Sequence, residues 1–361
     1  MSKMKSIITV TALVAVAGCQ AQPKAPAQKT ETEAQAKPLF VTEAVTYDTD
    51  DPAVWINPTD PAKSLIIGTD KDKDGALYVF DLQGKIQHDK VVKNLQRPNN
   101  VDVEYGLILN GKPVDIAVTT ERMTHKLRVF SLPDMKPVDN GGLEMFVGDT
   151  EAEYRDLMGI GMYRDKQGKI YAFVGRKNGP VEGYIGQYLL EDDGKGNVKA
   201  TLVRKFGSFS KKKEIESIMV DDALGYVYYS DEGVGVKQYY ADAEKGNKQL
   251  SIFGTEGFKE DHEGISIYQL TDSTGYILVS DQGANRFQIF SREGDAANPF
   301  NHKLLKVVNV AATQSDGSET ISIPLGPNFP KGLFVVMSND RTFHLYKWEE
   351  IAGSDLKSIK N

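Results

Sequence analysis

Charged and amide side chains recur in this 361-residue sequence at the two ends of short apolar stretches. One set precedes the first apolar stretch of several repeated segments: Asp50, Asp51, Asn99, Asn100, Asp102, Glu216, Asp261, Glu263, Asp316 and Glu319. A second set follows the next apolar stretch: Lys71, Arg122, Arg176, Lys177, Asp231, Glu232, Asp281 and Gln282. In the second set the bases come first along the chain and the acids later. A site built from both sets would be basic on one side and acidic on the other.

These residue types suit a divalent cation and a phosphate group. Carboxylates and an amide oxygen, without His or Cys, are ligands that calcium prefers, because this ion accepts about six to eight oxygens in irregular geometry. Without a cation, converging carboxylates would repel one another. Arg offers phosphate a planar pair of donors, and Lys offers a compact positive charge. We therefore expect hydrolysis of a phosphate ester, assisted by a metal that polarises the phosphoryl oxygens and holds the attacking water.

Other hydrolytic chemistries lack their residues in this sequence. Its single cysteine is Cys19, and its five histidines show no metal-ligand spacing. It contains no Arg-His-Gly pattern of a phosphohistidine enzyme and no Gly-x-Ser-x-Gly nucleophile elbow. A formal net charge of −7 argues against nucleic acid as a partner, because such affinity rests on clustered Lys and Arg.

Six repeated segments must position these side chains. A stretch of alternating apolar and aromatic residues recurs every 50 to 58 residues. Its last residues are Phe80, Phe130, Tyr188, Tyr239, Phe290 and Tyr346. Upstream of each lies a second stretch, and upstream again a third, which is residues 53–56 in the first repeat and 321–323 in the last. A period of two with β-branched and aromatic residues predicts at least three strands in each repeat, and an all-β chain.

Six such units, each of roughly 50 residues, match the blades of a six-bladed β-propeller. The alternative is a long β-sandwich or a pair of β domains, but neither needs six copies of one strand order. In a propeller blade the first strand lines the central channel, and the second returns antiparallel beside it. Both charged sets would then lie at one end of the channel, where we expect the active site.

The N-terminal region predicts export. Lys3 and Lys5 precede an apolar stretch, residues 7–17, that is too short to cross a bilayer comfortably. Residues 16–19 (VAGC) resemble a bacterial lipobox, so residues 1–19 are predicted to be a lipoprotein signal peptide and Cys19 its acylated residue. Residues 20–38 have too little apolar surface to fold and are predicted to be a disordered tether, followed by the propeller in residues 39–361.

This leader predicts a location at the cell envelope. Gln20, which follows the acylated cysteine, resembles a signal for sorting to the outer membrane of Gram-negative cells. The alternative is an ordinary signal peptide with a chance cysteine, which would release the protein. We expect the protein to meet the membrane only through its lipid anchor, and to be a monomer.

Several motifs resemble those of the bacterial β-propeller phytases, which are calcium-dependent enzymes of the 3-phytase type. They are residues 50–55 (DDPAVW), 97–102 (RPNNVD), 264–268 (GISIY), 324–327 (PLGP) and 331–336 (KGLFVV). These motifs stand in the family's order, and the resemblance runs from about Tyr47 to Ala352. It implies a six-bladed propeller that hydrolyses the phosphomonoesters of inositol hexakisphosphate (phytate) with several calcium ions.

The resemblance also implies roles for individual residues. Phosphate contacts fall on Lys71, Arg122 and Lys177. Arg176 is also predicted to bind substrate, because of its charge and its position in the sequence. Ligands of the catalytic calcium ions fall on Asp50, Glu216, Glu232, Asp261, Glu263, Gln282 and Asp316. Structural calcium is implied at Asp51 and Asp102. The residues predicted to act directly in catalysis are Lys71, Arg122, Lys177, Glu216, Asp261 and Glu263.

Two positions depart from the family pattern. Met158 stands where the family has a Tyr ahead of the third blade, and residues 337–340 (MSND) replace a Gln-Asp-Gly pattern in the sixth. One alternative function is a calcium-dependent propeller lactonase or arylesterase, which has no need of a basic cluster. The other is an anchored propeller that only binds a partner or calcium phosphate, and the missing polar group at Met158 favours it.

Overall fold

The β-strands of the computed structural model form six sheets. The structure describes residues 35–151 and 153–360, so the predicted signal peptide, Cys19 and most of the predicted tether lie outside it. Within these residues the helices are α1 (Trp348–Ala352) and the short 3₁₀ turns Pro61–Lys63, His88–Lys90, Arg122–Thr124, Ala243–Lys245 and Gln282–Ala284. None of the helices in this part of the chain is long and apolar enough to cross a membrane.

The first three sheets follow one another along the chain, after a short strand β1 (Phe40–Val41). Blade one consists of β2 (Thr49–Trp55), β3 (Leu65–Asp70), β4 (Gly75–Phe80) and β5 (Val92–Leu95). Blade two consists of β6 (Pro98–Leu109), β7 (Lys112–Glu121), β8 (Lys126–Ser131), β9 (Lys136–Pro137) and β10 (Leu143–Glu144). Blade three consists of β11 (Leu157–Arg164), β12 (Ile170–Arg176), β13 (Glu182–Asp192) and β14 (Val198–Ser208).

The next three sheets repeat the same antiparallel order. Blade four consists of β15 (Ile218–Asp221), β16 (Tyr226–Asp231), β17 (Gly235–Tyr240) and β18 (Ser251–Phe253). Blade five consists of β19 (His262–Gln269), β20 (Gly275–Asp281), β21 (Arg286–Ser291) and β22 (Leu304–Asn309). Blade six consists of β23 (Ser318–Ile321), β24 (Leu333–Ser338), β25 (Thr342–Lys347) and, from the start of the chain, β1.

The N-terminal strand closes the ring. β1 pairs antiparallel with β25, with Phe40 opposite Leu345 and Val41 opposite His344. The Thr49 hydroxyl, at the start of blade one, donates to the carbonyl oxygen of Ser338 in blade six at 2.8 Å. The first and last blades are therefore joined by hydrogen bonds between the two ends of the folded chain.

The folded body begins earlier than the predicted boundary at residue 39. Ala36 is buried and forms a β-bridge with Val310. The side chain of Gln35 donates to the carbonyl oxygen of Val310 at 2.7 Å. The prediction of a disordered tether up to residue 38 is therefore wrong at its C-terminal end, because this segment finds backbone partners beside blade five.

Buried apolar side chains pack between neighbouring blades. Ile116 and Val118 of β7 lie in one cluster with Ile160 of β11. Ile66 of β3 and Val335 of β24 share another cluster, which joins the first blade to the last. Successive strand residues point to opposite faces, and both faces of a blade are covered by its neighbours. This is why β3 is buried along its whole length and reads as an apolar run.

The predicted all-β, six-bladed propeller is confirmed. The fourth strand of each blade was not predicted, because strands such as β5 and β18 are short and partly exposed. The inner strand of blade six was predicted at residues 321–323, but β23 begins at Ser318, which pairs with Val336. Most of this strand therefore consists of polar residues, and its only apolar residue is Ile321 at its C-terminal end.

Candidate active site

The inner strand of each blade begins where the second strand ends. The register pairs Thr49 with Asp70 in blade one and Pro98 with Glu121 in blade two. In blades one, two, three and five the ladder then skips two residues, which form a β-bulge. Bulges redirect side chains and are frequent beside active sites. Here they occur together at one end of the channel, which we call the mouth.

Two rings of side chains surround the mouth, and the strand register defines both. The inner ring lies two positions before the first regularly paired residue of each inner strand. It consists of Asp50, Asn99, Met158, Glu216, Glu263 and Asp316. The first regularly paired residue has a partner on the second strand of its blade. The second ring lies three positions after that partner. It consists of Lys71, Arg122, Lys177, Glu232, Gln282 and Asn339. Equivalent backbone positions therefore carry bases in blades one to three, and an acid or amides in blades four to six.

Side chains from four blades contact one another in the mouth. Lys71 forms an ion pair with Asp50, and its Nζ lies 3.5 Å from a carboxylate oxygen of Asp316. The amide nitrogen of Asn99 donates to Asp50 at 2.9 Å and also to Glu216. Blades one, two, four and six are thus linked by hydrogen bonds and ion pairs between residues of the two rings.

Arg122 lies buried in this mouth beside Met158. Its Nε donates to the carbonyl oxygen of Leu157 at 3.3 Å, and its Nη2 contacts the sulfur of Met158. A thioether sulfur is a weak acceptor. Burial lowers the pKa of Arg122, because the guanidinium loses hydration that these two partners replace only in part. An incoming phosphate would supply the stronger acceptors that this side chain lacks.

The acidic side of the mouth contains two overlapping groups of carboxylates. Oxygens of Glu214, Glu216 and Glu232 lie within 4.8 Å of one another, as do oxygens of Glu232, Asp261 and Glu263. Glu263 is buried, and its Oε2 has no hydrogen-bond partner among the described residues. An all-oxygen donor set with an unsatisfied buried carboxylate fits a hard divalent cation. These residues could therefore hold metal ions.

Burial raises the pKa of five carboxyl groups in the mouth. Desolvation is the largest cause for Asp50 and for Glu216, and it raises the pKa of each to about 7. Desolvation, and then the charge of Glu216, raises the pKa of Glu232 to about 8. Burial likewise raises the pKa of Asp316 to about 6 and that of Glu263 well above its usual range. Each group is thus stabilised by a proton or by a nearby cation.

Gln282, Asp261 and Lys177 also contact residues at the mouth. Gln282 donates to Asp316, and Asp261 forms an ion pair with Lys213. Lys177 forms an ion pair with Glu214. The structure therefore brings together Lys71, Arg122, Lys177, Asp50, Glu216, Glu232, Asp261, Glu263, Gln282 and Asp316 at one mouth of the channel.

Asp51 and Asp102 lie deeper in the channel. They line a small cavity together with Asn100 and Glu319. The backbone amide of Val101 donates to Asp51 at 3.1 Å, and that of Met162 donates to Asp102 at 2.7 Å. Asn100 is buried, and its Oδ1 has no hydrogen-bond partner among the described residues. This second set of oxygens is separate from the mouth and could also hold a cation.

Arg176 does not belong to the site, so the prediction that it contacts substrate is wrong. Its side chain is fully buried, and its guanidinium stacks 4.0 Å from the ring centroid of Phe146. It pairs with Asp149 at 2.5 Å and donates to the carbonyl oxygens of Tyr154 and Tyr184 at 3.0 Å. Because successive strand residues point in opposite directions, Lys177 faces the mouth and Arg176 faces the blade.

The residues at the position of Arg176 in other blades have a comparable role. They hold the loop that precedes the inner strand. Asp70 accepts a hydrogen bond from the backbone of Asp48 at 2.8 Å. Asp281 accepts one from the backbone of Lys259 at 2.9 Å. Asp231 accepts one from the backbone amide of Ser210 at 3.0 Å. Asp231 and Asp281 therefore stabilise the fold, although the sequence places them directly beside residues of the second ring.

Two charged residues of the site were missed. Lys213 and Glu214 lie on the loop before blade four, outside the repeating positions from which the site was predicted. The backbone amide of Glu232 donates to the carbonyl oxygen of Glu214 at 3.1 Å, which holds this loop against the second strand. The only sequence signal for them was the charged run at residues 211–214 (KKKE) close to Glu216.

Comparison with known proteins agrees with this geometry. The family model described as Phytase matches residues 3–356 of the chain. A 3-phytase from Bacillus subtilis (strain 168) is 30% identical over 321 residues, which cover 84% of this chain and 80% of that enzyme. The chain belongs to the phytase family. The resemblance stated from the sequence motifs and the predicted enzyme class, a phytase, are confirmed.

Solved structures add information on the fold of this phytase-family chain. The WD40 β-propeller domain of Doa1 aligns with a TM-score of 0.50 at 12% identity, over 89% of this chain and 99% of that domain. At this level of identity the likeness concerns the propeller fold alone. The phytase-family assignment rests instead on the matches in sequence.

The metal-free protein should lose stability as the pH rises from about 4 to 8. The pKa of Glu216 (about 7) and that of Glu232 (about 8) exceed those of the unfolded chain, so their contribution is present at low pH and lost as the pH rises through the folded-state values. Thermal unfolding in a chelator should therefore show a higher midpoint at pH 5 than at pH 8. The double variant Glu216→Gln, Glu232→Gln should flatten this dependence. A wild-type midpoint that is equal or higher at pH 8 would contradict the burial of these groups.

Proposed function

We propose that this protein hydrolyses the phosphomonoesters of phytate in a calcium-dependent reaction at the mouth of its channel. One observation carries the proposal: the second ring places Lys71, Arg122 and Lys177 on one side of the mouth, opposite the carboxylates of Glu216, Glu232, Asp261 and Glu263. A densely anionic substrate needs cationic partners on every side, and the protein itself supplies them on only one.

The basic side binds phosphate. Arg122 is buried and oriented by Leu157, and its contact with the weak acceptor Met158 can be exchanged for phosphate oxygens. Lys71 lies between Asp50 and Asp316, where it can reach a phosphate without losing both counter-charges. Lys177 lines a cleft of about 520 Å³ with Asn178 and Lys213, which leaves room for the other phosphates of the substrate.

The acidic side holds calcium. Glu216, Glu232, Asp261 and Glu263 are its central ligands, with Asp50, Gln282 and Asp316 around them. Calcium, when bound, supplies polarisation of the phosphoryl group and activation of a water. Asn99 holds Asp50 and Glu216 in place through its amide nitrogen. We further propose structural calcium at Asp51 and Asp102, where the unpartnered oxygen of Asn100 supports an extra cation.

Release of phosphate from phytate is the direct test of this function. The protein, purified after export from a bacterial host, should release phosphate when calcium is supplied and should lose this activity in a chelator. Restoring calcium should restore turnover, which is the control for unfolding in the chelator. No release at any calcium concentration would contradict the proposal, and hydrolysis of lactones or aryl esters instead would select the alternative propeller hydrolase.

Arg122→Ala and Glu216→Ala should each lower kcat/KM for phytate by about 10²-fold or more. Removing one contact to the phosphate, or one metal ligand, commonly costs that much transition-state stabilisation. Lys93→Ala, on the exposed outer strand of blade one, is the control and should leave the rate unchanged. Steady-state kinetics at saturating calcium give the comparison. Near-wild-type turnover in both site variants would show that the reaction takes place elsewhere.

We also propose that the protein is exported and anchored as a monomer by a lipid on Cys19. The support is the sequence of residues 1–20, which precedes the described part of the chain. In a Gram-negative host, the wild-type protein should appear in the membrane fraction, and Cys19→Ser should move it to the soluble fraction. Immunoblots of both fractions give the answer. A wild-type protein found only in the soluble fraction would contradict the anchor.

A further inference from the structure

The loop before blade four brings an additional carboxylate to the mouth. Glu214 lies two residues before Glu216, and its backbone carbonyl accepts a hydrogen bond from Glu232 at 3.1 Å. Its carboxylate lies within 4.8 Å of those of Glu216 and Glu232. This group shares Glu232 with the group formed by Asp261 and Glu263. Glu214 thus extends the acidic side of the mouth towards blade three.

Buried oxygens without hydrogen-bond partners lie beside these carboxylates and suit a cation. Glu263 is 4% exposed, and its Oε2 has no hydrogen-bond partner among residues 35–151 and 153–360. Asn99 is fully buried beside Glu216, to which its nitrogen donates, and its Oδ1 also has no partner in this part of the chain. A buried acceptor without a donor is costly, and a divalent cation would remove that cost.

One of the carboxylates at the mouth, that of Glu214, forms an ion pair with a lysine. Lys177 of the second ring forms an ion pair with Glu214, and both side chains are partly exposed. Lys177 comes from blade three and Glu214 from the loop of blade four, so the pair spans two blades. The same ammonium cannot neutralise Glu214 and bind a phosphate oxygen at full strength.

We propose that Glu214 is a further ligand of the metal at this site, and that Lys177 competes with the metal for it. When the metal takes the Glu214 carboxylate, the Lys177 ammonium is released to the cleft where phosphate binds. Binding of the metal and binding of phosphate would then strengthen each other. Metal binding frees Lys177 for phosphate, and phosphate binding frees Glu214 for the metal. The choice of calcium as the metal rests on the function proposed above.

Calcium titrations test this arrangement without turnover. Glu214→Gln should weaken calcium binding about tenfold, as loss of a group at a metal site commonly does. Lys177→Met should instead tighten calcium binding several-fold, because the competing ammonium is gone. These opposite signs cannot both result from a folding defect. Isothermal titration calorimetry of the purified, exported protein measures both.

Two surface variants control for the change in net charge. Glu256→Gln, on the loop before blade five, and Lys212→Met, on the same loop as Glu214, make the same charge changes at exposed positions. Each should change the calcium affinity less than twofold. If Glu214→Gln binds calcium as tightly as Glu256→Gln, Glu214 is not a ligand. If Lys177→Met binds calcium no more tightly than Lys212→Met, Lys177 is not a competitor. Either result would overturn the proposal.

Binding of inorganic phosphate tests the coupling. Saturating calcium should tighten phosphate binding to the wild-type protein by about fivefold or more. In metal-free Glu214→Gln, where Lys177 is no longer held, phosphate should bind more tightly than to the metal-free wild type. Equal affinities would overturn the competition. Neither titration depends on hydrolysis, so a protein that shows these shifts but releases no phosphate from phytate would refute the proposed function and leave this inference intact.

Discussion

Carboxylates of Asp50, Glu216, Glu232, Glu263 and Asp316 share one mouth of the channel, and burial raises the pKa of each. Mutual repulsion and lost hydration both oppose this arrangement. It persists because the residues are attached to the first and second strands of their blades, which cannot separate without opening the ring. Closure of the last blade by β1, together with the apolar clusters between blades, therefore does more than stabilise the fold. It holds together a set of carboxyl groups that a proton or a nearby cation stabilises.

The nearly sixfold scaffold produces a site with two unlike sides. One backbone position in the second ring carries Lys71, Arg122 and Lys177 in three successive blades, and Glu232 and Gln282 in the next two. Because the blades are arranged around an axis, a change of sign along the sequence becomes a change of sign across the mouth. The basic and the acidic residues of the second ring thus lie on different sides of the mouth, although the same strand geometry supports both.

The two departures from the family pattern have different structural consequences. Met158 lies in the inner ring, where its sulfur contacts Arg122 and leaves the guanidinium with weak acceptors. Asn339 lies in the second ring, but its amide donates to Gln314 at 2.8 Å. Asp340 accepts a hydrogen bond from Thr342 at 2.6 Å, and its side chain is mostly exposed. The first departure alters a residue beside Arg122, the proposed phosphate contact, whereas in the second Asn339 and Asp340 form hydrogen bonds within blade six and the loop before it.

The sequence by itself determined the six blades and which strand ends meet at the mouth, because a repeated alternation of apolar residues specifies strands and their order. It could not separate Arg176 from Lys177, since adjacent residues at a strand end point in opposite directions and the register decides which faces inward. Among the fourth strands that it missed, β5 and β18 are short and have one buried residue each. Only the tertiary structure brought Glu214 to Glu232 and paired it with Lys177, because that loop lies outside the repeat and its place depends on two neighbouring blades.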